Sequence, residues 1–483
     1  MTKGAVALVL HAHLPYVRSA QPGSLEEDWF FQALIECYLP LLETLELASA
    51  DPHQQPKLTI GLSPTLLSLL SDQDLKQRFP DWLNERLDLL PKADPSLRAG
   101  AEHLAATIER HRRAWQSCDG DLIQRFAALQ RQGVVDLLTC GATHGYLPLL
   151  RHHPEAVRGQ LRTAVREHQR LVGERPLGIW LPECAYYEGL DRWMRDAGLR
   201  YAVLDGHGLL HGRPRPRYGV YAPICSRNGV AFFGRDSDAT LPVWSAKDGY
   251  PGDPHYREFH RDLGWDLPIE ELKPLGLDQP RPLGLKLHRV TDHSAPLDRK
   301  RPYEPGVAAE RVKEHAADYL QGRRRQLDQL SAAMDVSPLL VAPFDAELFG
   351  HWWFEGPAFL SQLFQQAPQE GVSFTRLRDV LNNVGQLQLC DPCPSSWGQG
   401  GYHDYWLNDS NAWIIPEWEK ASAAMVQRCS RGVGSEQAMQ WLQQAARELL
   451  LAQSSDWSFI LRAGTTTELA KERVQRHLGR FWQ

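Results

Sequence analysis

An α/β barrel of parallel strands with added helices is the fold that this 483-residue sequence predicts, and three features predict it. Short apolar runs of strand length alternate with segments of helical spacing through most of the chain, which implies parallel strands joined by helical crossovers. Seven or eight such runs argue for a closed barrel over an open sheet. Toward the C-terminus the strands stop and only helical spacing remains. The first element is Ala5-Val6-Ala7-Leu8-Val9-Leu10, a continuous apolar run that suits a strand buried on both faces. Ser24 and Glu27 form a capping-box pattern, and Phe30, Leu34, Tyr38, Leu41, Leu42 and Leu45 then recur at helical spacing. An amphipathic helix over 25–49 is expected. Further strand candidates lie at 57–61, 134–139, 177–181, 200–204, 229–233, 283–287 and 338–344. Between two of them Pro154 precedes Val157, Leu161, Val165, Leu171 and Val172, a helix with a proline start. Tyr218–Ile224 and Gly229–Phe233 flank a short turn and read as a hairpin. Residues 70–130 carry charged helical stretches and no strand, and read as a helical insertion within a barrel of 1–384. Strands are expected to end at about 385, and 385–483 reads as a helical C-terminal domain packed on the barrel, with a helical pattern from Trp406 onward and Ala438, Trp441, Leu442, Ala445, Leu449 and Leu450 on one face. The stretches 249–256 and 290–306 are expected as long surface loops.

Composition narrows the function. Lysine plus arginine is 53 against 59 for aspartate plus glutamate, a net charge of −6, so no electrostatic grip on nucleic acid or anionic lipid is expected. No apolar run reaches the roughly 18–20 residues that span a bilayer. The opening run Gly4–Leu10 is too short for a secretory signal, and with eight scattered cysteines this favours reduced thiols and a cytoplasmic location. Sixteen tryptophans stand out. An indole offers a broad apolar face and one N–H, which suits stacking on sugar rings as well as filling cores.

In a barrel of this kind the active site lies at the C-terminal ends of the strands, so polar residues just after strands carry the information. Four strands run into such clusters: His11-Ala-His13, Gly141-Ala-Thr-His144-Gly145, Trp180-Leu-Pro-Glu183-Cys184 and Phe344-Asp345-Ala-Glu347-Leu-Phe-Gly-His351-Trp352-Trp353. Each member also has a bland reading. His11 or His13 can be a satisfied core histidine, Glu183 a solvated loop carboxylate, Asp345 a cap for the next segment, and Glu347 can point away along an extended chain. Cys390 and Cys393 form a lone C-x-x-C with no second pair, so they read as loop cysteines. Two chemistries fit the cluster. His-x-His with a later histidine and aspartate can gather a metal for hydrolysis. Alternatively two carboxylates flank a glycosidic bond, one attacking the anomeric carbon and the other protonating the leaving oxygen. Tryptophan tilts the choice to sugar, since Trp180, Trp352 and Trp353 adjoin the clusters and Trp29 follows the first. A non-catalytic glucan-binding protein would keep the aromatics and lack a reactive carboxylate; here both Glu183 and Asp345 are present.

These four motifs, with Glu27-Asp-Trp-Phe30, Val243-Trp-Ser245, Gly249-Tyr-Pro-Gly-Asp253, Tyr256-Arg-Glu-Phe-His260, Ser395-Ser-Trp-Gly398 and Leu451-Ala-Gln-Ser-Ser-Asp-Trp457, resemble the ordered conserved regions of glycoside hydrolase family 57. More narrowly they are similar to its 1,4-α-glucan branching enzymes. The resemblance implies a distorted (β/α)7 barrel with a helical insertion and an α-helical C-terminal domain. It implies a retaining enzyme that cleaves α-1,4 bonds and transfers the glucan to a 6-hydroxyl, with hydrolysis or 4-α-transfer as the alternative on the same scaffold. By the resemblance Glu183 is the nucleophile and Asp345 the general acid/base, and retention asks for carboxyl groups about 5–5.5 Å apart. His11, His13 and His144 match positions lining the donor subsite, and Trp29, Trp265, Trp406 and Asp456 match further binding positions. Trp352 and Trp413 join them here as candidate stacking residues. An α-glucan is the implied partner, and neither metal nor other cofactor belongs to the implied chemistry. Such branching enzymes carry a tyrosine at the tip of a mobile loop over the site. The corresponding stretch, roughly 226–250, holds Phe232 and Phe233 but no tyrosine before Tyr250, with Tyr218 and Tyr221 just upstream.

Overall fold

The computed structural model describes residues 4–19, 23–245, 247–432 and 434–483. Among the described residues seven parallel strands form the centre: β1 (Ala5–Ala12), β2 (Leu58–Leu62), β3 (Val135–Leu138), β4 (Gly178–Ile179), β5 (Tyr201–Leu204), β7 (Ala231–Gly234) and β8 (Leu339–Asp345). A two-residue β6 (Ile224–Cys225) pairs antiparallel with β7, and β9 (Gln388–Leu389) pairs with β6 outside the ring. Pairing runs β3-β2-β1-β8 on one side and β4-β5-β7 on the other. Two backbone junctions join the halves. Trp180 N–H donates to Thr139 O at 2.8 Å between β3 and β4, and Asp236 N–H donates to Val341 O at 2.9 Å between β7 and β8. The result is a distorted seven-stranded (β/α) barrel, held by longer ladders around β1 and by only one or two backbone hydrogen bonds at each of its two seams.

Alternation along the strands explains where the site sits. In β1, Ala7 and Val9 pack in the barrel interior while Val6, Leu8 and Leu10 pack under the surrounding helices. In β8, Leu339 and Val341 point in while Leu340, Ala342 and Phe344 point out. His11 and Asp345 continue the inward rows, and they are direct register partners. The same pleat that builds the core therefore delivers two polar side chains to its upper end.

Several expectations change. The segment 283–287 is no strand: its buried Leu283, Leu285 and Leu287 pack outside the ring, and the N–H groups of Leu283 and Gly284 bond the Asp262 carboxylate. The helix expected over 25–49 runs as Leu25–Ala33, a π-helical Leu34–Tyr38 and Leu39–Ala50, and it is not amphipathic. Glu27, Asp28, Gln32 and Glu36 are buried along with its apolar residues, because the insertion covers its outer side. The 249–256 stretch is not a surface loop, since Gly252, Asp253 and Tyr256 are buried. Strands do not end at 385, because β9 follows, and helix begins only at Ile414, not at Trp406. Helices fill 73–131, and four more, Ile414–Ser430, Glu436–Ala452, Ser455–Ala463 and Thr467–Trp482, close the chain. No helix among the described residues is long and apolar enough to cross a membrane.

Candidate active site

At the C-terminal ends of β1, β3, β4 and β8 the predicted cluster comes together. His13 sits beyond the end of β1, and its ring stacks on His144 with centroids 3.9 Å apart. His11 Nε2 faces His144 Nε2 at 3.0 Å, and the His11 ring lies flat on Trp180 at 4.8 Å. Gly61 of β2 makes room for it, since a Cβ there would meet His11 Nδ1 at 3.2 Å. His13 Nε2 bonds both oxygens of Asp456 at 3.1 Å, and its Nδ1 meets Ser63 Oγ at 2.9 Å. Asp456 comes from the helix Ser455–Ala463, whose start is tied to the loop after β3 by Ser455 N–H donating to His144 O at 3.0 Å. Burial opposes charge at both members of this pair. Their mutual contact prevails, raising His13 above its usual value and holding Asp456 well below the carboxylate range.

Glu183 lies in the tight turn Pro182–Cys184 after β4 with φ at 62°, and His144 and Cys184 are also left-handed. Non-glycine residues rarely hold that conformation, and such strain collects at functional sites. The turn presents the Glu183 carboxylate to two donors. Trp397 Nε1–H reaches Oε2 at 2.9 Å and Ser455 Oγ reaches Oε1 at 3.1 Å. Burial nevertheless pushes its pKa up to about 7, with the Asp456 charge adding to the rise. Asp345 is placed differently. It precedes the turn Ala346–Leu348 without capping it, and no hydrogen bond reaches its carboxyl among the described residues. Burial, then the charges of Glu347 and Glu183, drive its pKa well above the ordinary value. One carboxyl thus has donors that favour the anion and the other has neighbours that favour the acid.

The site also holds residues to which sequence reasoning gave no role. Ser455 lies within Leu451–Trp457 and Trp397 within Ser395–Gly398, but a serine and an indole N–H carry no signal until the fold shows what they touch. Glu347 does not point away: the chain turns after Asp345, and Oε1 accepts from Tyr38 OH at 2.6 Å and His13 N–H at 3.0 Å. Trp180, Trp353 and Trp406 are no sugar platforms, at 0%, 1% and 2% exposure. Trp406 is instead stacked on Tyr146 at 4.6 Å, which supports the site from below. Trp265, Trp352 and Trp413 are 49%, 43% and 38% exposed and keep open faces, while Trp29 is half-buried against the core. Tyr218 and Tyr221 sit by the start of β8, opposite the Asp345 end: Tyr218 OH bonds Asp335, and Leu339 N–H donates to Tyr221 O. Tyr250 OH donates to Asp318 on the outer helix Pro305–Ala333.

Two overlapping triads, His13 with His144 and Asp456, and His11 with Cys140 and His144, have donor atoms within 4.8 Å of one another. Spacing alone would suit a metal. The nitrogens are engaged elsewhere, however, by Asp456, Ser63, Ser455 and each other, except His11 Nδ1, which faces Gly61. All eight cysteines are free, and Cys393 Sγ contacts His207 O.

Comparison with known proteins places this constellation. Residues 7–391 match the sequence model of glycosyl hydrolase family 57, and residues 417–483 match that of the C-terminal region of 1,4-α-glucan branching enzymes. A 1,4-α-glucan branching enzyme of Thermococcus kodakarensis is 32% identical over 98% of this chain and 72% of its own. The crystal structure of the α-amylase AmyC from Thermotoga maritima is similar with a TM-score of 0.91 at 35% identity, covering 99% of this chain and 92% of that one. A branching enzyme of this family from Pyrococcus horikoshii follows at 0.89 and 32%, covering 98% and 88%. The barrel, the buried carboxyl pair and likeness along nearly the whole length agree, and the chain belongs to glycosyl hydrolase family 57.

Proposed function

We propose that this protein is a 1,4-α-glucan branching enzyme in which Glu183 attacks the anomeric carbon and Asp345 protonates the leaving oxygen. The observation that carries the reading is the unequal treatment of two buried carboxyls at the strand ends. Glu183 has two donors to hold it as an anion, and Asp345 has none and faces Glu347. After the leaving chain departs, Asp345 as carboxylate takes the proton of the acceptor's 6-hydroxyl, and the new α-1,6 bond frees Glu183 with retention. The region after 385 completes the cleft by supplying Trp397, Ser455 and Asp456. His13 and Asp456, the partly open members of the cluster, are placed to hold sugar hydroxyls, while the buried His11 and His144 back them from within and do not meet sugar themselves; Trp265, Trp352 and Trp413 are placed to stack on glucan. Eight free cysteines support a reducing, cytoplasmic location.

The test is incubation with amylose, counting new α-1,6 linkages and new reducing ends on one sample. Abundant reducing ends without α-1,6 linkages would sink branching. Undiminished cleavage in Glu183→Gln would remove the nucleophile assignment. Hydrolysis is the second reading, favoured by likeness to an α-amylase and by the chain passing from β7 straight into the helix Ser237–Trp244. Metal-dependent hydrolysis, suggested by the donor triads, would require stoichiometric metal by elemental analysis and loss of activity with a chelator.

A further inference from the structure

A single chain of hydrogen bonds runs from the barrel wall to Glu183, and its direction follows from which atoms can donate. An ionised carboxylate only accepts, so Ser455 Oγ–H donates to Glu183 Oε1 at 3.1 Å. The serine oxygen is then free to accept from His144 Nδ1, 2.7 Å away, which puts the His144 proton on Nδ1. His144 Nε2 is left as a lone pair facing His11 Nε2 at 3.0 Å, so His11 carries its proton on Nε2. The chain ends at His11 Nδ1, a bare lone pair that is buried without a partner against Gly61. Burial keeps both rings neutral, which this ordering requires.

Protonation of Glu183 at Oε1 would reverse every bond. Its O–H would donate to Ser455, the serine to His144 Nδ1, and His144 Nε2–H to His11 Nε2. His11 would then carry its hydrogen on Nδ1, where no acceptor exists, and a buried N–H without a partner is strongly disfavoured. We propose that Ser455 is a positioning residue of the reaction: through this one-way chain it holds Glu183 Oε1 in place and keeps the carboxylate ionised, so that the C-terminal region completes the nucleophile carried by the barrel. The other titratable groups facing Glu183 are Asp456, whose charge opposes the anion, His13, which favours it, Asp345, Tyr146, Cys140 and Cys184, and the His144 ring itself lies 3.8 Å from Oε1, beyond hydrogen-bond reach. None of these donates a hydrogen bond to Oε1.

The inference rests on Glu183 as nucleophile, and the experiment separates the two. Initial rates on amylose are measured from pH 5 to 9 for the full-length parent, Ser455→Ala, Ser455→Thr, His11→Ala and Glu183→Gln. Ser455→Ala is expected to move the acid limb of kcat/KM up by about one pH unit, with most of the loss recovered at high pH, and Ser455→Thr to restore the limb. His11→Ala removes the end of the chain that resists reversal, and its acid limb is expected to move the same way. An acid limb unmoved in a folded Ser455→Ala protein overturns the inference. If that variant does not fold, an unmoved limb in His11→Ala overturns it. Full activity in Glu183→Gln would overturn the nucleophile reading itself, whereas an inactive Glu183→Gln with unmoved limbs in the other variants overturns only the role of Ser455.

Discussion

Glu183 does its work as an anion in a buried site, so the groups that stabilise that anion set the working pH. With its pKa at about 7, activity rises as pH climbs through that region, and it falls again once Asp345 loses its proton. The two carboxyls interact, so the limbs of the bell belong to the pair. The Trp397 indole donates to the anion at 2.9 Å, and a hydrogen bond to a charged group contributes about 1.5–3 kcal/mol. Trp397→Phe keeps most of the ring but loses the N–H, and should raise the acid limb by one to two pH units. A kcat/KM profile checks this, and an unshifted acid limb would show that the indole only fills space. Glu183, Asp345 and the three histidines were legible in the sequence because each follows an apolar strand run within a short motif. Trp397 and Ser455 were not, because they act across 214 and 272 residues of chain on an atom no local pattern identifies.

Elements read well where burial and periodicity agree, and poorly where side chains replace the backbone ladder. The runs at 5–10 and 338–344 are strands because both faces are buried, one by the barrel interior and one by helices. Leu283, Leu285 and Leu287 show the same apolar alternation, yet a buried Asp262 carboxylate takes the N–H groups a neighbouring strand would need. The helix from Leu25 to Ala50 hides charge within an apolar setting, and its π turn carries Glu36 inward, where the carboxylate bonds Arg257 Nη2 and His351 Nδ1, each at 2.6 Å. Burial opposes ionisation there, but Lys286, Arg257 and His351 hold Glu36 at about 2. Its folded value lies below the unfolded one, so this contribution is present above about pH 4.5 and fades as pH falls toward 2. Glu36→Gln leaves Arg257 buried without its counter-charge and should destabilise the fold by roughly 3–5 kcal/mol near neutral pH. A denaturant titration that finds less than about 1 kcal/mol would place the guanidinium in water. The His13–Asp456 pair couples β1 to the helix Ser455–Ala463 with a different pH window. Raised His13 contributes fully below about 6.5 and loses its share as pH rises through its folded value; lowered Asp456 contributes above about 3.8. The difference in melting temperature between the parent and Asp456→Asn should therefore be largest between about pH 4 and 6.5 and shrink at higher pH. A constant difference would mean that the pair is not ionised as described.

At the scale of the whole molecule, barrel and C-terminal helices together decide what reaches the glycosyl–Glu183 intermediate. The floor of the site is lined by buried aromatic rings, Trp180 stacked on His11 and Trp406 on Tyr146, which leave no face free for sugar. Trp265, Trp352 and Trp413 keep exposed indole faces, Trp413 immediately before the helix Ile414–Ser430. Water is abundant and needs no binding, so transfer competes only if an acceptor chain is held over the intermediate long enough to react. A face that stacks on the acceptor thus raises transfer without changing the first chemical step. An aromatic contact contributes about 0.5–1.5 kcal/mol beyond burial, which corresponds to roughly threefold to tenfold in the partition. Trp413→Ala should lower the ratio of new α-1,6 linkages to new reducing ends on amylose by that factor, while total bond cleavage stays within about twofold. If cleavage falls and the ratio holds, Trp413 serves the donor chain and the acceptor must be held by other indoles such as Trp265 or Trp352. If neither changes, its exposed ring lies outside the path of the glucan, and the balance between transfer and hydrolysis is set by the aromatic floor and the short passage from β7 to Trp244.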